Sequence, residues 1–190
     1  MSNPTSTPEP LLNSPVRNDD ISVATTNRRA VVMAKLTAPG VMDDYRRRRM
    51  DSPDVSLVDH QGKRHFPSSI SLLRTASPTF RRSFDRQLSK VSASWNHCEV
   101  SVPYASEQVI SSVLDLLYHI DAPDRVANEL CASVASGNLI YVPGMVHVLE
   151  VVQVLVYWEI PELVVAVQRA LHVKIPAFVP LLFSGAPFRA

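Results

Sequence analysis

The chain is poor in the residues from which most chemical sites are built. It has two cysteines, Cys98 and Cys131, in 190 residues; they are far apart and outside any Cys-x-x-Cys spacing, so neither a disulfide scaffold nor a zinc motif is indicated. Its five glycines form no Gly-x-Gly-x-x-Gly turn and no Gly-Lys-Ser/Thr loop, which leaves nothing to cradle a phosphate. The six histidines never fall at the His-x-x-x-His spacing of a helical metal site. His97-Cys98 is no thiol dyad either, because neighbours along a strand point to opposite faces. No catalytic, cofactor-binding or metal-ligating residue is assigned, and the chain is expected not to be an enzyme.

No Asn-x-Ser/Thr acceptor has a permitted middle residue, and the start of the chain lacks the basic-then-apolar order of a signal peptide. The expected home is the cell interior, cytoplasmic or nuclear. The most apolar window, Leu139 to Trp158, contains Pro143, His147, Glu150 and Gln153. Those groups are costly in a bilayer, so the window reads as a buried helix and no membrane is expected.

Net charge is only +1, but residues 1–95 hold 15 Lys and Arg against 9 Asp and Glu, whereas residues 96–190 hold 4 against 9. That asymmetry suits an acidic partner for the N-terminal half. Pro4, Pro8, Pro10 and Pro15 deny helix and sheet alike to the first residues. Residues 1–41 therefore read as a largely disordered Ser/Thr/Pro-rich region, within which Ile21 to Leu36 is ambiguous. Residues 42–175 read as one domain with an insertion at about 121–138, and 176–190 as an apolar C-terminal tail. The basic run Arg46, Arg47, Arg48 and Arg49 follows Asp43 and Asp44 and has no interleaved aromatics, so a solvated helix face is favoured over nucleic-acid binding.

The organising stretch is Pro53 to Leu88. Val55 and Leu57 alternate with polar Asp54 and Ser56, as in a half-buried strand. Gly62 can take the positive φ of a reversal, and Arg64-His65-Phe66 returns as a second strand. Ser69 is placed to cap a helix carrying Ile70, Leu73 and Ala76, and Ser77-Pro78 opens another, with Phe80, Phe84 and Leu88 on its inner stripe. Further on, Cys98 to Val102 alternates as a third strand. Ser106 caps a helix with Val109, Val113, Leu116 and Leu117. Val126, Leu130 and Val134 give an inserted helix ending at Gly137. Val148, Val152 and Leu155 give a helix from Met145, and Pro161 starts one more.

Asp54, Val55, Leu57, Val58, Gly62, Phe66, Leu73, Ser77, Pro78, Phe80 and Phe84, followed much later by Ile160-Pro161-Glu162-Leu163, resemble the pattern of the BTB/POZ domain. The resemblance implies an α+β fold in which a small, mainly three-stranded sheet packs with a cluster of α-helices. It implies a stand-alone, divergent protein-interaction module that self-associates as a homodimer, through the segment around Val31 to Leu36 and the helix Ile70 to Leu73. It also implies a second role, as a ubiquitin-ligase adaptor docking a cullin through Phe80, Phe84, Leu88 and Lys90. Lys90 stands where cullin-binding relatives carry Glu, and a reversed charge there disfavours that partner. Ser69 and Ile70 replace the family's His and basic residue, which leaves Asp54 without its usual counter-charge and predicts that it is exposed or caps a local turn. A third reading is a nuclear, nucleic-acid-associated regulator using Arg46 to Arg49.

Overall fold

The computed structural model describes residues 18–62, 64–88, 98–136 and 139–175. They form an α+β fold: a three-stranded mixed sheet packed among helices. The chain opens with α1 (Asn18–Leu36) and α2 (Val41–Asp51), then the strands β1 (Val55–Val58) and β2 (His65–Ser68). Helices α3 (Ile70–Ala76) and α4 (Pro78–Leu88) precede β3 (Cys98–Ser101) and α5 (Glu107–Tyr118). The rest is helix α6 (Pro123–Leu130), a 3-10 turn (Cys131–Ser133), the two-residue strands β4 (Ala135–Ser136) and β5 (Leu139–Ile140), and the pair α7 (Val142–Tyr157) and α8 (Pro161–Lys174).

β1 lies in the middle of the sheet, antiparallel to β2 and parallel to β3. All four of its residues are therefore buried, Ser56 included. The alternation predicted a half-buried strand; as the central strand, β1 is instead buried on both faces. Gly62 has φ +67 in the hairpin turn, as expected of it.

The helix starts are fixed by short polar side chains. Ser106 Oγ accepts from Val109 N, closing the first turn of α5. Ser77 Oγ accepts from Phe80 N at 3.2 Å and starts α4. Ser69 occupies the cap position of α3, but its side chain makes no cap bond. Asp54 Oδ1 takes that role, accepting from Ile70 N at 2.7 Å. This is the local use expected of an acid lacking its counter-charge.

Two boundaries differ from the sequence reading. α1 occupies a segment expected to be largely disordered, and Leu36 and Met42 are almost fully buried. Pro4, Pro8, Pro10 and Pro15 all precede Asn18, and residues 18–36 contain neither Pro nor Gly. Val32, Met33 and Leu36 share the inward side of α1. The inserted helix is also shorter than the spacing suggested. α6 stops at Leu130, and Ala127, Cys131 and Val134 are the buried positions of that region. Both thiols are buried. Gly137, Trp95 and the tail fall outside the described residues.

The core is continuous from Leu36 through the sheet to Ile175. Its largest side chain, Trp158, sits at the end of α7, where Phe80 meets it edge-on with ring centroids 4.7 Å apart. Among the described residues no helix is long and apolar enough to cross a membrane.

Candidate interaction face

The positions singled out in the sequence divide sharply by burial. Leu73, Phe80 and Phe84 are 0%, 4% and 1% exposed and so belong to the core of this chain. Their four-residue spacing points them at their own core, where Phe80 and Phe84 pack ring on ring at 5.9 Å. Ile70 is half-buried and does reach the surface. The Leu88 side chain and Lys90 lie outside the described residues.

The two segments expected to form an interface do come together. α1 packs on α3. Arg29 of α1 donates through Nε and Nη2 to both carboxylate oxygens of Glu162 in α8, at 2.6 and 2.5 Å, and through Nη1 to the Ala76 carbonyl at 2.7 Å. A planar fork on a carboxylate fixes orientation as well as distance, so α1 is clamped at its middle. Its outer side then presents Arg28 and Val31, the latter 57% exposed.

Beside that helix are two shallow hollows of about 400 Å³ each. One is lined by Asn27, Arg28, Val31, Val32 and Arg81, the other by Asp54, Ile70, Ser71, Arg74, Thr75 and Arg81. Arg81 borders both, held there by its Nε donating to the Arg74 carbonyl at 3.1 Å. Arg74 in turn reaches Asp85 at 2.5 Å. The face is thus apolar at Val31 and Ile70 and rich in cations. Sequence reading found its apolar half; it missed the cationic half, since nothing local shows that α1, α3 and α4 converge.

The basic run has a structural occupation. Arg46 donates to the Tyr118 carbonyl at 2.8 Å and to Asp43 and Asp121. Burial pulls the Asp121 carboxyl upward, but the Arg46 hydrogen bond and charge outweigh it and hold that carboxyl below its ordinary range. Arg47 pairs with Asp44, and Arg49 pairs with Asp115 while lying 4.7 Å above the Tyr118 ring. Arg46 and Arg49 thus tie α2 to α5 and the turn after it, while Arg47 pairs within α2.

Elsewhere, Glu159 adopts φ 58 between α7 and α8. Its carboxylate accepts from Arg82 and from Thr79, and the Arg82 hydrogen bond holds it below the usual range. A His-x-x-Glu spacing does occur once, at His147 and Glu150 on α7. His147 Nε2 faces Ser112 Oγ at 3.0 Å instead of a second ligand. Among the described residues no group of three or more His, Cys, Asp or Glu is placed to hold a metal ion.

Neither a family model nor a curated protein sequence matches this chain. Among solved structures, the BTB domain of zebrafish PATZ1 is similar at 15% identity and a TM-score of 0.47, over 74% of this chain and 95% of that one.

Proposed function

We propose that the chain is a protein-interaction module of the BTB/POZ type, a binding scaffold and not a catalyst, which self-associates through the face shared by α1, α3 and α4. The observation that carries this reading is the meeting of its two sequence signatures. Ser77 of the Ser-Pro-x-Phe helix start donates to the Trp158 carbonyl at 2.6 Å, two residues before the Ile160-Pro161-Glu162-Leu163 junction. Phe80 covers the same Trp158. The remote motif halves thus support one another in a single core, which makes their joint occurrence a property of one domain. On this reading the domain takes in α1 together with residues 42–175, the region about 121–138 being its insertion.

The exposed α1, α3 and α4 face then supplies what an interface needs. Val31 and Ile70 offer apolar area, and Arg28 and Arg81 offer donors for carboxylates, while Arg74 is taken up by Asp85. Nucleic-acid binding by Arg46 to Arg49 is disfavoured, because three of the four are engaged with acidic side chains of the same fold. Cullin docking finds no support in the described residues, and Lys90 counts against it by charge.

Light scattering over a dilution series tests the proposal. A dimer that dissociates more readily in Val31→Asp or Ile70→Asp, with unchanged circular dichroism, supports it. A wild-type chain that stays monomeric at every concentration refutes self-association, while binding of another protein to the same face would keep only the broader module reading.

A further inference from the structure

Two pairs of adjacent arginines, one on α1 and one on α4, are each half neutralised. On α1, Arg29 is taken up by Glu162, whereas exposed Arg28 makes no hydrogen bond or ion pair among the described residues. On α4, Arg82 is taken up by Glu159. Exposed Arg81 donates only to backbone carbonyls, from Nε to Arg74 at 3.1 Å and from Nη2 to Thr75 at 3.5 Å. The two guanidiniums left without a carboxylate, Arg28 and Arg81, line the same hollow of about 400 Å³ with Asn27, Val31 and Val32. No described acidic residue lines it.

An exposed arginine ordinarily loses rotamer freedom when it grips a ligand. Arg81 has given up part of that freedom already, because carbonyls in the last turn of α3 hold two of its N–H groups and favour its positive charge. Its remaining N–H groups are free for an acceptor. Carboxylates and phosphates both fit a guanidinium fork, so the surroundings of the two arginines decide between them. Val31 and Val32 give the hollow an apolar wall, and no aromatic ring lines it on which a base could stack. A peptide carrying both acid and apolar side chains uses every part of this lining, whereas a phosphate backbone uses only the cations.

We propose that the hollow between α1 and α4 takes an acidic segment of another protein, with an apolar side chain against Val31 and Val32 and carboxylates on Arg28 and Arg81. A copy of the same hollow would bring arginines in place of acids, and like charges set against each other are costly, so this chain does not supply the occupant. The proposal rests on the reading of the α1, α3 and α4 face as an interaction surface and adds the chemistry of its partner. It does not require the dimer.

Selection of a random phage-displayed peptide library on the full chain, followed by fluorescence polarisation of the enriched peptides, is the test. Enriched sequences are expected to set Asp or Glu beside Leu, Ile, Val or Phe, with affinity that falls as salt rises. Arg28→Glu and Arg81→Glu should each bind them at least about tenfold more weakly. Should Arg81→Glu disturb α3 and lose circular dichroism, Arg28→Glu still reads binding alone, since Arg28 holds nothing in the fold. No enrichment, enriched sequences without acid, or equal binding by Arg28→Glu overturns the proposal. Tighter retention of an oligouridine or of phosphatidylserine vesicles than of any selected peptide also overturns it, and would assign the arginines to phosphates. Light scattering on the same sample separates this result from self-association. A dimer that selects no acidic peptide fails only the present proposal, and a monomer that selects one fails only the dimer.

Discussion

Ser77 and Trp158, 81 residues apart, are joined by a buried 2.6 Å hydrogen bond from the serine hydroxyl to the tryptophan carbonyl. The same hydroxyl accepts from Phe80 N, so one side chain both starts α4 and ties it to the α7–α8 turn. Ser77→Ala removes both bonds and leaves a carbonyl without its partner. A loss of about 2–3 kcal/mol is expected from a buried polar orphan plus a lost cap. Urea unfolding reads it as a lower midpoint, and a change within error would mean the bond is replaced by solvent.

Gly144 and Gly62 are predicted to respond to alanine for different reasons. A Cβ on Gly144 would stand 2.5 Å from the Ser133 carbonyl oxygen, a backbone atom that cannot rotate away. Gly62 has open space around it but φ +67. Gly144→Ala is expected to cost about 1–3 kcal/mol through displaced backbone, and Gly62→Ala about 1–2 kcal/mol through left-handed strain alone. Thermal unfolding of both, with α7 amide exchange faster only in Gly144→Ala, separates the causes.

Clamping of α1 by Arg29 predicts a local effect. Arg29→Ala should speed hydrogen exchange throughout α1 while leaving β1 protected, with a global loss of about 1–2 kcal/mol for a partly buried, bidentate pair. Arg29→Lys keeps the charge but not the fork and should restore only part of the protection. Unaltered exchange in α1 would show that Val32, Met33 and Leu36 hold the helix unaided.

The basic run should behave as four unequal residues. Arg46→Ala breaks contacts to Tyr118, Asp121 and Asp43 and is expected to cost about 1 kcal/mol. Exposed Arg48 should be replaceable by Ala within about 0.5 kcal/mol. Chemical denaturation checks the difference, and equal effects would contradict the assigned pairings.

Stability should fall at both ends of the pH scale. Arg82 holds the Glu159 carboxyl low, and Arg46 prevails over burial to hold that of Asp121 low. A depressed carboxyl favours the folded state above its ordinary pKa, and that contribution is lost as pH falls through the folded value. At the alkaline end, burial pushes the fully enclosed Cys131 thiol from 9.0 up to about 12. Raised acids favour the folded state fully below their unfolded values, so stability declines between about pH 9 and 12. Denaturation midpoints across pH check both arms. Cys131, with no exposed surface, should react with a thiol reagent only on unfolding.

Local patterns carried much of the fold. Ser106, Ser77-Pro78, Gly62 and Pro161 announced their boundaries because capping and turn chemistry act over three or four residues. The burial of Phe80 and Phe84 followed from helical spacing alone. Asp54 was legible as an acid in need of a local role, though the loss of the cap bond at Ser69 was not. The unread parts all involve distance along the chain. Full burial of β1 depends on β3 choosing it as a parallel neighbour, and the clamp on α1 depends on Glu162, 133 residues away. The cationic half of the interaction face is hidden for the same reason: Arg28 and Arg81 become neighbours only after α1 docks.

The parallel pairing of β1 with β3 also imposes an order on folding. β1 and β2 meet through a short turn, but Val55 finds Cys98 only after the segment containing α3 and α4 has closed into a loop. Long-range closure must be paid for before its contacts return anything, so the hairpin forms early and the third strand waits for the two helices. Pulse-labelled hydrogen exchange during refolding should therefore show Leu57 and Phe66 amides protected ahead of Val100. Weakening α4 through Phe84→Ala should delay β3 while sparing the hairpin.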